Sequence, residues 1–441
     1  MADVRPFRGL RYEEQTDLDR VVAAPYDVLD ADQTDELRRR SPLNAVHVDL
    51  PVGPGEAPSD EAYGRAAALL SLWRRDGALV RDEEPAVYLV DQTYRGPDGV
   101  EHTRRGFVAR LTLAALEERV VLPHEKTHAG PKEDRLRLYR ATHADISTIF
   151  LLYPDDDGAV AAELGAAAAE LGMGGGEPAP AAVRTAHDGD GNVHSVAAVR
   201  GERAARVCSL LAGRSLYIAD GHHRYETALA YRDECRAAGD HSADTLMVYL
   251  CSMRDPGLMV FPAHRMVKGI EMPPMDEVLG RLAPAFTVAS RESAEGGACA
   301  GLVDRMRDTA DPGRSFVLYF PREKSCCVAT LTDAAALERL TAECMSPAAA
   351  GLSVTILHRL ILGDGVGLDP VHGEGLIDYV VSRDDALRKL AAGEYVFGVF
   401  LTATGVDEVR AIADNGETMP QKSTFFYPKL LTGLVFDALG D

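Results

Sequence analysis

The stretch Leu216-Tyr-Ile-Ala-Asp-Gly-His-His-Arg-Tyr-Glu-Thr-Ala-Leu-Ala-Tyr231 joins a strand signal to a helix signal through a single glycine. An apolar run stops at Asp220, and after the turn a helix-forming sequence continues to Ala238. Two histidines and Arg224 therefore stand in the first turn of the predicted helix. Because helix N-termini present backbone N–H groups and a partial positive charge, they attract phosphate. The stretch predicts an anion or phosphate site between a strand and a helix.

Composition indicates a soluble, globular chain that forms two or more lobes. The 441 residues are 26% charged and 46% hydrophobic, which is an ordinary balance for such proteins. A formal net charge of -21 and a pI of about 5.1 argue against binding to nucleic acid, which requires a basic face. The sequence has no apolar signal core and no apolar run of membrane length, so we expect a cytoplasmic protein without a membrane partner.

The cysteines give no sign of a covalent or metal-bound framework. There are seven of them, an odd number, and no C-x-x-C pair occurs. We therefore expect neither a disulfide scaffold nor a zinc ribbon.

Apolar runs with strand character alternate with segments of helical spacing along the chain. Ala86–Gln92 and Arg105–Leu113 have the pattern of strands joined by a turn, and Thr245–Met253 has that of a buried strand. This mixture of hairpins and helices predicts a mixed-sheet α/β or α+β architecture. We place residues 1–270 in an N-terminal and central lobe and residues 271–441 in a C-terminal α/β lobe, whose last segment docks back toward the site.

The first candidate site is the segment from Asp220 to Arg224. Gly221 allows the backbone to approach a ligand closely, while His222, His223 and Arg224 are able to contact phosphates. Asp220 is a candidate for holding Mg²⁺ or a substrate hydroxyl. The alternative is a helix cap by Asp220 with histidines on the surface. We favour function, because adjacent side chains on regular structure point in different directions and do not serve one core purpose.

The second candidate site, Leu122–Arg135, contains the pattern H-E-x-x-H from His124 to His128. In zinc metallopeptidases this pattern lies within a helix, but Gly130-Pro131 follows too closely for a helix to continue past His128. We therefore expect a loop in which Glu125 acts as a base and neighbouring cations bind anions. Those cations are Lys126, Lys132 and Arg135. The alternative for the lysines is a solvated, charged loop that leads into a helix.

Two further segments carry cations and hydroxyl groups. In Phe261-Pro-Ala-His-Arg265, His264 and Arg265 either join the first cluster or leave a strand toward solvent. In Met419–Lys429, Lys422 and the two hydroxyl residues after it resemble part of a phosphate loop, although no Walker A glycine pattern precedes them. Those hydroxyl residues are Ser423 and Thr424. The alternative is a C-terminal tail that docks on the core through its aromatic side chains, and both can hold together.

Taken together, these motifs resemble the bacterial and archaeal family labelled domain of unknown function 1015, in the same order over nearly the whole chain. The shared motifs are Phe7-Arg8-Gly9-Leu10, Ala24-Pro-Tyr-Asp-Val28, Pro123-His-Glu-Lys-Thr127, Gly130-Pro-Lys-Glu-Asp-Arg135, Asp220-Gly-His-His-Arg224, Pro262-Ala-His-Arg265 and Lys422-Ser-Thr-Phe-Phe-Tyr-Pro-Lys429. That family is in turn similar to the ParB/sulfiredoxin superfamily, which includes nucleotide-using free serine kinases. The resemblance implies a ParB/sulfiredoxin-like core with large insertions and an additional C-terminal α/β lobe.

The resemblance also implies a function. Glu125 would deprotonate an acceptor hydroxyl, while the Asp220–Arg224 segment would hold nucleotide phosphates and metal. We therefore expect a phosphotransferase that uses ATP or ADP, or else CTP, with Mg²⁺ and without zinc, to phosphorylate the hydroxyl of a small amino-acid-like metabolite. One alternative is a nucleotide-dependent switch of the ParB type that transfers no phosphate to a metabolite. A metal-dependent hydrolase that uses His124 and His128 is the other.

The expected site residues come from all four segments. The expected catalytic residues are Glu125, Asp220 and His223, with Asp220 also as the Mg²⁺ ligand. The residues expected to bind the cofactor are Gly221, His222, Arg224, Lys132, Arg135, His264, Arg265, Lys422, Ser423 and Thr424. The expected partner is a small molecule, an amino acid in particular, and neither nucleic acid nor a membrane; a homodimer is compatible with the sequence.

Overall fold

The computed structural model describes residues 1–440 apart from 54, 98, 126–128, 175–181, 295–296, 344–345, 369–374 and 421. Over these residues the predicted mixed α/β architecture is confirmed. The chain divides into two compact units. The first comprises Met1–Pro123, Thr127–Leu258 and Pro428–Asp441, and the second comprises His124–Lys126 and Met259–Tyr427. The chain enters the second unit at Met259, and its last segment, from Pro428, belongs to the first unit.

The first unit is built from a mixed sheet and helices that pack against it. Its strands are β1 (Val4–Arg5), β2 (Leu10–Tyr12), β3 (Leu79–Arg81), β4 (Ala86–Arg95), β5 (Glu101–Thr112), β6 (Val121–Leu122), β7 (Ala144–Asp145), β8 (Ile149–Tyr153), β9 (Arg184–His187), β10 (Val193–Arg200), β11 (Leu216–Asp220) and β12 (Thr245–Ser252). Its helices are α1 (Leu18–Val21), α2 (Ala31–Arg40), α3 (Val46–Asp49), α4 (Asp60–Arg75), α5 (Ala129–Thr142), α6 (Ala159–Leu171), α7 (Gly201–Ser209) and α8 (His222–Ala237), with a 3-10 turn at Leu116–Glu118.

The main sheet of this unit has the strand order β6-β11-β8-β12-β5-β4-β10-β9, and β1 pairs with β5. The pairs β6–β11 and β8–β12 are parallel, and the other pairs are antiparallel. The predicted hairpin is confirmed as β4 and β5, which pair as far as Arg95 opposite Glu101. Buried side chains such as Phe107, Leu151 and Ile218 form the core. Strand β11 therefore lies beside the β6 edge of a well-packed sheet, with Asp220 at its carboxyl end.

The second unit has a sheet and a core of its own. Its strands are β13 (Met259–Phe261), β14 (His264–Val267), β15 (Phe286–Ser293), β16 (Ser315–Phe320), β17 (Ser325–Leu331), β18 (Ile377–Val380), β19 (Phe397–Phe400) and β20 (Phe425–Tyr427). Its helices are α9 (Met275–Leu282), α10 (Ala298–Arg307), α11 (Ala334–Glu343), α12 (Pro347–Gly351), α13 (Ser353–Ile356), α14 (Arg383–Ala391) and α15 (Val406–Asp414), with a 3-10 turn at Pro312–Arg314 and a π-helix at Leu357–Val366. In neither unit does a described helix have the length and apolar character needed to cross a membrane.

The sheet of the second unit is antiparallel throughout, in the order β15-β17-β16-β19-β14-β18, while β13 and β20 form a separate pair. A disulfide joins the buried Cys299 of α10 to the buried Cys326 of β17. The cysteine spacing gave no reason to expect this bridge, because it depends on the contact of a helix with the sheet. Among the described cysteines it is a single bridge and not a scaffold.

The C-terminal segment of the chain pairs with strands and loops of the first unit. Strand β21 (Asp437–Ala438) pairs with β7, and isolated bridges join Phe436 to Leu10 and Thr432 to Ala23. The segment that precedes β21 is therefore fixed on the unit that carries β11 and α8.

Candidate functional site

The turn between β11 and α8 has a conformation that glycine adopts readily and other residues do not. Gly221 has a φ of 94°, in the left-handed region. A Cβ atom at this position would lie 3.0 Å from Nε of Arg224. The glycine therefore permits both the turn and the close approach of the Arg224 side chain.

Helix α8 buries one broad face, which packs against the sheet core and against α5. Its buried side chains recur at helical spacing, at Arg224, Ala228, Tyr231 and Cys235. His222 is buried and His223 is half-buried. The two predicted histidines thus lie in the first turn of the helix, where the positive end of the helix dipole is located.

The carboxylate of Asp220 lies between two cations. Its Oδ2 accepts a 2.7 Å hydrogen bond from Nη2 of Arg224, and its Oδ1 accepts a 2.9 Å hydrogen bond from Nζ of Lys429. Nη1 of Arg224 also donates to the carbonyl of Thr148 at 2.6 Å. The start of α8 therefore holds two cations around one carboxylate, and the carboxylates of Asp27 and Asp49 also act on Arg224.

The role of Asp220 as a Mg²⁺ ligand stays a prediction. Both carboxylate oxygens already accept from cations. Over the described part of the chain, no group of three or more His, Cys, Asp or Glu side chains is arranged to hold a metal ion. Arg224 and Lys429 are the side chains of this cluster that would bind an anion directly.

The backbone that carries Lys429 is held by two buried polar residues. Arg104 is completely buried, and its Nη2 donates to the carbonyl of Pro428 at 2.6 Å. Nε2 of Gln92 donates to the carbonyl of Lys429 at 3.1 Å. Because Gln92 and Arg104 belong to β4 and β5, the position of the lysine is fixed by the middle of the sheet.

Arg135 forms a second cationic position in this unit. Its Nη1 donates to Oδ1 of Asp49 at 2.8 Å, and its guanidinium lies 4.1 Å from the ring centre of Tyr26. Asp49 also accepts a 2.8 Å hydrogen bond from Oγ of Ser147. Burial alone would lower the pKa of Arg135, but Asp49, Asp134 and Tyr26 outweigh burial and raise it.

Arg135 and Arg224 lie close to each other. Both line one small cavity together with Asp49. Burial raises the pKa of Tyr26, and both guanidiniums oppose that rise. Burial acts to lower the pKa of Arg224, but Asp220 and other carboxylates outweigh it and raise the pKa. The structure therefore brings together three of the predicted residues, Arg135, Asp220 and Arg224.

Lys132 was predicted to bind an anionic ligand, but in the structure it forms an ion pair with a carboxylate of the protein. It lies in α5, and its ammonium pairs with the carboxylate of Glu226 in α8. Gly130 and Pro131, which were predicted to prevent a helix from continuing past His128, lie in the first turn of α5. Proline is tolerated there because its missing N–H would lack a helical partner in any case. The helix begins after His128, a residue that lies outside the described part of the chain.

In the second unit, the segment around Glu125 pairs with the segment around Ser423. The backbone N–H of Ser423 donates to Oε1 of Glu125 at 3.3 Å, although 298 positions separate them. Nε2 of His124 lies 3.2 Å from Oγ1 of Thr424, and the N–H of Met419 donates to the carbonyl of His124 at 2.8 Å. Three predicted residues, Glu125, Ser423 and Thr424, are therefore neighbours.

Lys422 is exposed and has a φ of 55°, a left-handed conformation that is uncommon outside glycine. It directly precedes the Ser423 N–H that donates to Glu125. A strained residue next to a candidate catalytic carboxylate is typical of functional segments.

His264 lies in the core of the second unit. Its Nδ1 accepts a 3.4 Å hydrogen bond from the N–H of Leu401, and its ring centre lies 4.8 Å from that of Phe400. Burial lowers the pKa of His264 to about 3, so the imidazole is neutral. These contacts favour a structural role for His264 over the predicted cofactor contact.

Several residues of these clusters were not predicted from the sequence. Lys429 and Tyr26 lie in motifs that carried the family resemblance, so the same motifs could have identified them as site residues. Asp49 lies in no such motif, and its role depends on the contact between α3 and Arg135.

Comparison with known proteins gives one family and distant structural likenesses. A family model described as "Protein of unknown function (DUF1015)" matches residues 4–355. No curated protein matches the chain. A mutant free serine kinase in complex with AMP is 15% identical, with 73% of this chain and 89% of that chain covered and a TM-score of 0.36. A conserved hypothetical protein from Pyrococcus furiosus is also 15% identical, with 70% and 87% covered and a TM-score of 0.31. At such TM-scores the likeness carries no conclusion about this chain.

Proposed function

The chain belongs to the DUF1015 family of proteins of unknown function, and we propose that it is a nucleotide-dependent phosphotransferase. In this proposal ATP or ADP donates a phosphoryl group to the hydroxyl of a small amino-acid-like metabolite. The O–H bond of the acceptor breaks and its proton passes to Glu125. An O–P bond forms, and the P–O bond to the departing nucleotide breaks, so that ATP leaves as ADP, or ADP as AMP. The proposed setting is the cytoplasm, with small molecules as the partners.

The observation that carries the proposal is the cation cluster at the start of α8. Phosphoryl transfer requires neutralisation of the phosphate charge more than covalent catalysis. Arg224 and Lys429 both pair with Asp220, and these two cations stand at the positive end of a helix of 16 residues. The side chains of Asp220 and Lys429 are 21% and 17% exposed, so an anion from solvent has access to them. In the proposal, His222 and His223 supply further phosphate contacts.

The proposed base is Glu125 of the second unit. A general base must be held so that its carboxylate meets the proton it removes. The Ser423 N–H donates to one oxygen of Glu125, and the bridge to Met419 fixes its backbone. The same segment supplies the hydroxyl of Thr424 and the ammonium of Lys422 as proposed contacts for substrate or phosphate.

The experiment that tests the proposal separates binding from turnover. Nucleotide binding is measured by calorimetry with ATP and with ADP, and phosphorylated products are followed by ³¹P NMR with hydroxy amino acids as acceptors. Glu125→Gln is expected to abolish turnover and to leave the nucleotide Kd within about 3-fold of the wild-type value. Glu277→Gln is the matched control, because Glu277 is half-exposed in the same unit and pairs with Arg281 on its own helix.

The outcomes distinguish the alternatives. Nucleotide consumption that depends on an acceptor and is lost in Glu125→Gln supports the kinase. Nucleotide binding without transfer to any acceptor, accompanied by a change in oligomeric state, would identify a nucleotide-dependent switch instead. If neither nucleotide binds the wild-type protein, the proposal is wrong.

A further inference from the structure

Arg265 carries a positive charge in the interior of the second unit. Its side chain is completely buried in β14. No carboxylate of the described residues forms an ion pair with it, and its Nη2 has no hydrogen-bond partner among them. A buried charge costs free energy unless it is paired and hydrogen-bonded. Arg265 therefore occupies a position that an anion would stabilise.

The contacts of Arg265 orient its guanidinium without neutralising it. Nε donates a 3.2 Å hydrogen bond to Nε2 of His358, Nη1 donates to the carbonyl of Ala263, and the guanidinium lies 4.6 Å from the ring centre of Tyr379. His358 belongs to the buried π-helix Leu357–Val366. Burial and the charge of Arg265 lower the pKa of His358 to about 3, so the imidazole accepts as a neutral group.

The carboxylate of Glu125 acts on the charge of Arg265. Burial lowers the pKa of Arg265 to about 10, and Tyr379 and Glu125 act against this change. The carboxylate of Glu125 itself accepts from the N–H of Ser423. The proposed base thus acts electrostatically on a guanidinium whose Nη2 has no hydrogen-bond partner among the described residues.

One small molecule carries the groups that suit both residues. In a hydroxy amino acid, only a few covalent bonds separate the hydroxyl from the carboxylate. An acceptor with its hydroxyl at Glu125 would therefore have its carboxylate on the side of a cation, and Arg265 is the buried cation on which Glu125 acts. The planar fork of a guanidinium matches a carboxylate in geometry as well as in charge.

We infer that Arg265 binds the carboxylate of the acceptor and thereby selects hydroxy amino acids over the corresponding amino alcohols. This inference rests on the proposed function. Nη2, which has no hydrogen-bond partner among the described residues, is the group that receives the carboxylate. His358 acts as a positioning residue, since it holds the guanidinium through Nε.

The test compares acceptors that differ only in the carboxylate. L-serine is paired with ethanolamine, and L-homoserine with 3-aminopropanol, and kcat/KM is measured for each. The wild-type protein is expected to prefer the amino acid by about 100-fold, because a site built around a polar partner strongly rejects a ligand that lacks it. Arg265→Lys is expected to reduce that preference to less than about 10-fold, mainly through a higher KM for the amino acid. Arg291→Lys is the matched control, because Arg291 is half-exposed in the same unit.

A second variant separates a loss of acceptor preference from a folding defect in Arg265→Lys. His358→Leu removes the acceptor of the Nε hydrogen bond and retains the guanidinium, so the preference is expected to fall several-fold while circular dichroism stays unchanged. Equal phosphorylation of both acceptors by the wild type, or an equal loss for both in the variants, would overturn the inference and leave the proposed function intact. Failure of the wild type to phosphorylate any of the four acceptors would overturn both.

Discussion

Lys429 donates a 2.9 Å hydrogen bond to Asp220, which precedes it by 209 positions in the chain. The same carboxylate accepts from Arg224 at the start of α8. A segment near the C-terminus therefore completes a cluster that begins with a local turn. The lysine is the second cation of this cluster, beside Arg224.

Replacement of Lys429 by Met is expected to raise the nucleotide Kd roughly 10-fold. The substitution removes one of two cations, and the other, Arg224, then forms a neutral pair with Asp220. Calorimetry with ADP measures the change. Lys389→Met is the control, because Lys389 pairs with Asp385 on a surface helix of the second unit. An unchanged Kd in Lys429→Met would remove this cluster from the nucleotide site.

Replacement of Gly221 by Ala is expected to impair both stability and nucleotide binding. The left-handed φ of Gly221 costs a non-glycine residue about 1–2 kcal/mol, and the new Cβ displaces the Arg224 side chain. Gly239→Ala separates the two effects, because Gly239 follows the same helix with a φ of 80°, and a Cβ atom added there would meet nothing within 4 Å.

The measurement for this pair combines thermal unfolding with calorimetry. Both glycine variants are expected to lower the Tm, and only Gly221→Ala is expected to weaken ADP binding, by about 10-fold or more. Weaker binding in both variants to the same degree would show that lost stability, and not the displaced Arg224, accounts for the defect.

The local parts of the site were predictable from the sequence, and the long-range parts were not. The strand, turn and helix around Gly221 follow from a short apolar run, a glycine and helical spacing within one segment. Asp220 is paired with Lys429, 209 positions away, and Glu125 with Ser423, 298 positions away. No local sequence pattern reveals contacts over such separations. The order of the motifs along the chain indicated a common site, but their spatial partners depend on sheet topology.

Buried residues were the hardest to interpret from the sequence. His264 and Arg265 are adjacent and were predicted to act alike, yet alternation along β14 gives them different surroundings. His358 carried no signal at all, because a histidine in an apolar run has the pattern of a core residue. Its contact with Arg265 exists only because the π-helix packs near β14.

The disulfide is expected to stabilise the second unit and to leave the first unit unaffected. Reduction of Cys299–Cys326 opens a loop of sequence separation 27, which corresponds to a loss of about 3 kcal/mol. Calorimetric unfolding with and without dithiothreitol measures the loss. The single tryptophan, Trp73, is buried in the first unit, so the unfolding curve from its fluorescence is expected to stay the same.

Cys299→Ser supplies the control for this prediction. Its unfolding is expected to be insensitive to dithiothreitol and to resemble that of the reduced wild type. Sensitivity of the variant to the reductant would mean that another thiol pair, and not Cys299–Cys326, is responsible.

The stability of the first unit is expected to fall as the pH rises toward neutrality. Asp145 of β7 is buried opposite Asp437 of β21, and burial together with the charge of Asp437 raises the pKa of Asp145 to about 7. Arg110 donates to both oxygens of Asp437, while the hydroxyl of Tyr139 and the N–H of Met247 donate to Asp145. The folded state thus keeps one proton on Asp145 that the unfolded chain, with a pKa near 4, releases earlier.

The sign of the effect follows from that difference. Because the folded-state pKa of Asp145 is raised, the contribution of its protonation to the free energy of unfolding is complete below pH ~4. It is lost between pH ~4 and pH ~7, and the loss amounts to a few kcal/mol. Urea unfolding followed by Trp73 fluorescence at pH 5 and pH 8 measures this loss.

Asp145→Asn is expected to reduce the difference in unfolding free energy between pH 5 and pH 8 and to be more stable than the wild type at pH 8. Asp233→Asn, an exposed position on α8, is expected to keep the wild-type difference. A wild-type protein that is more stable at pH 8 than at pH 5, with Asp145→Asn unchanged from it, would contradict a buried proton between β7 and β21.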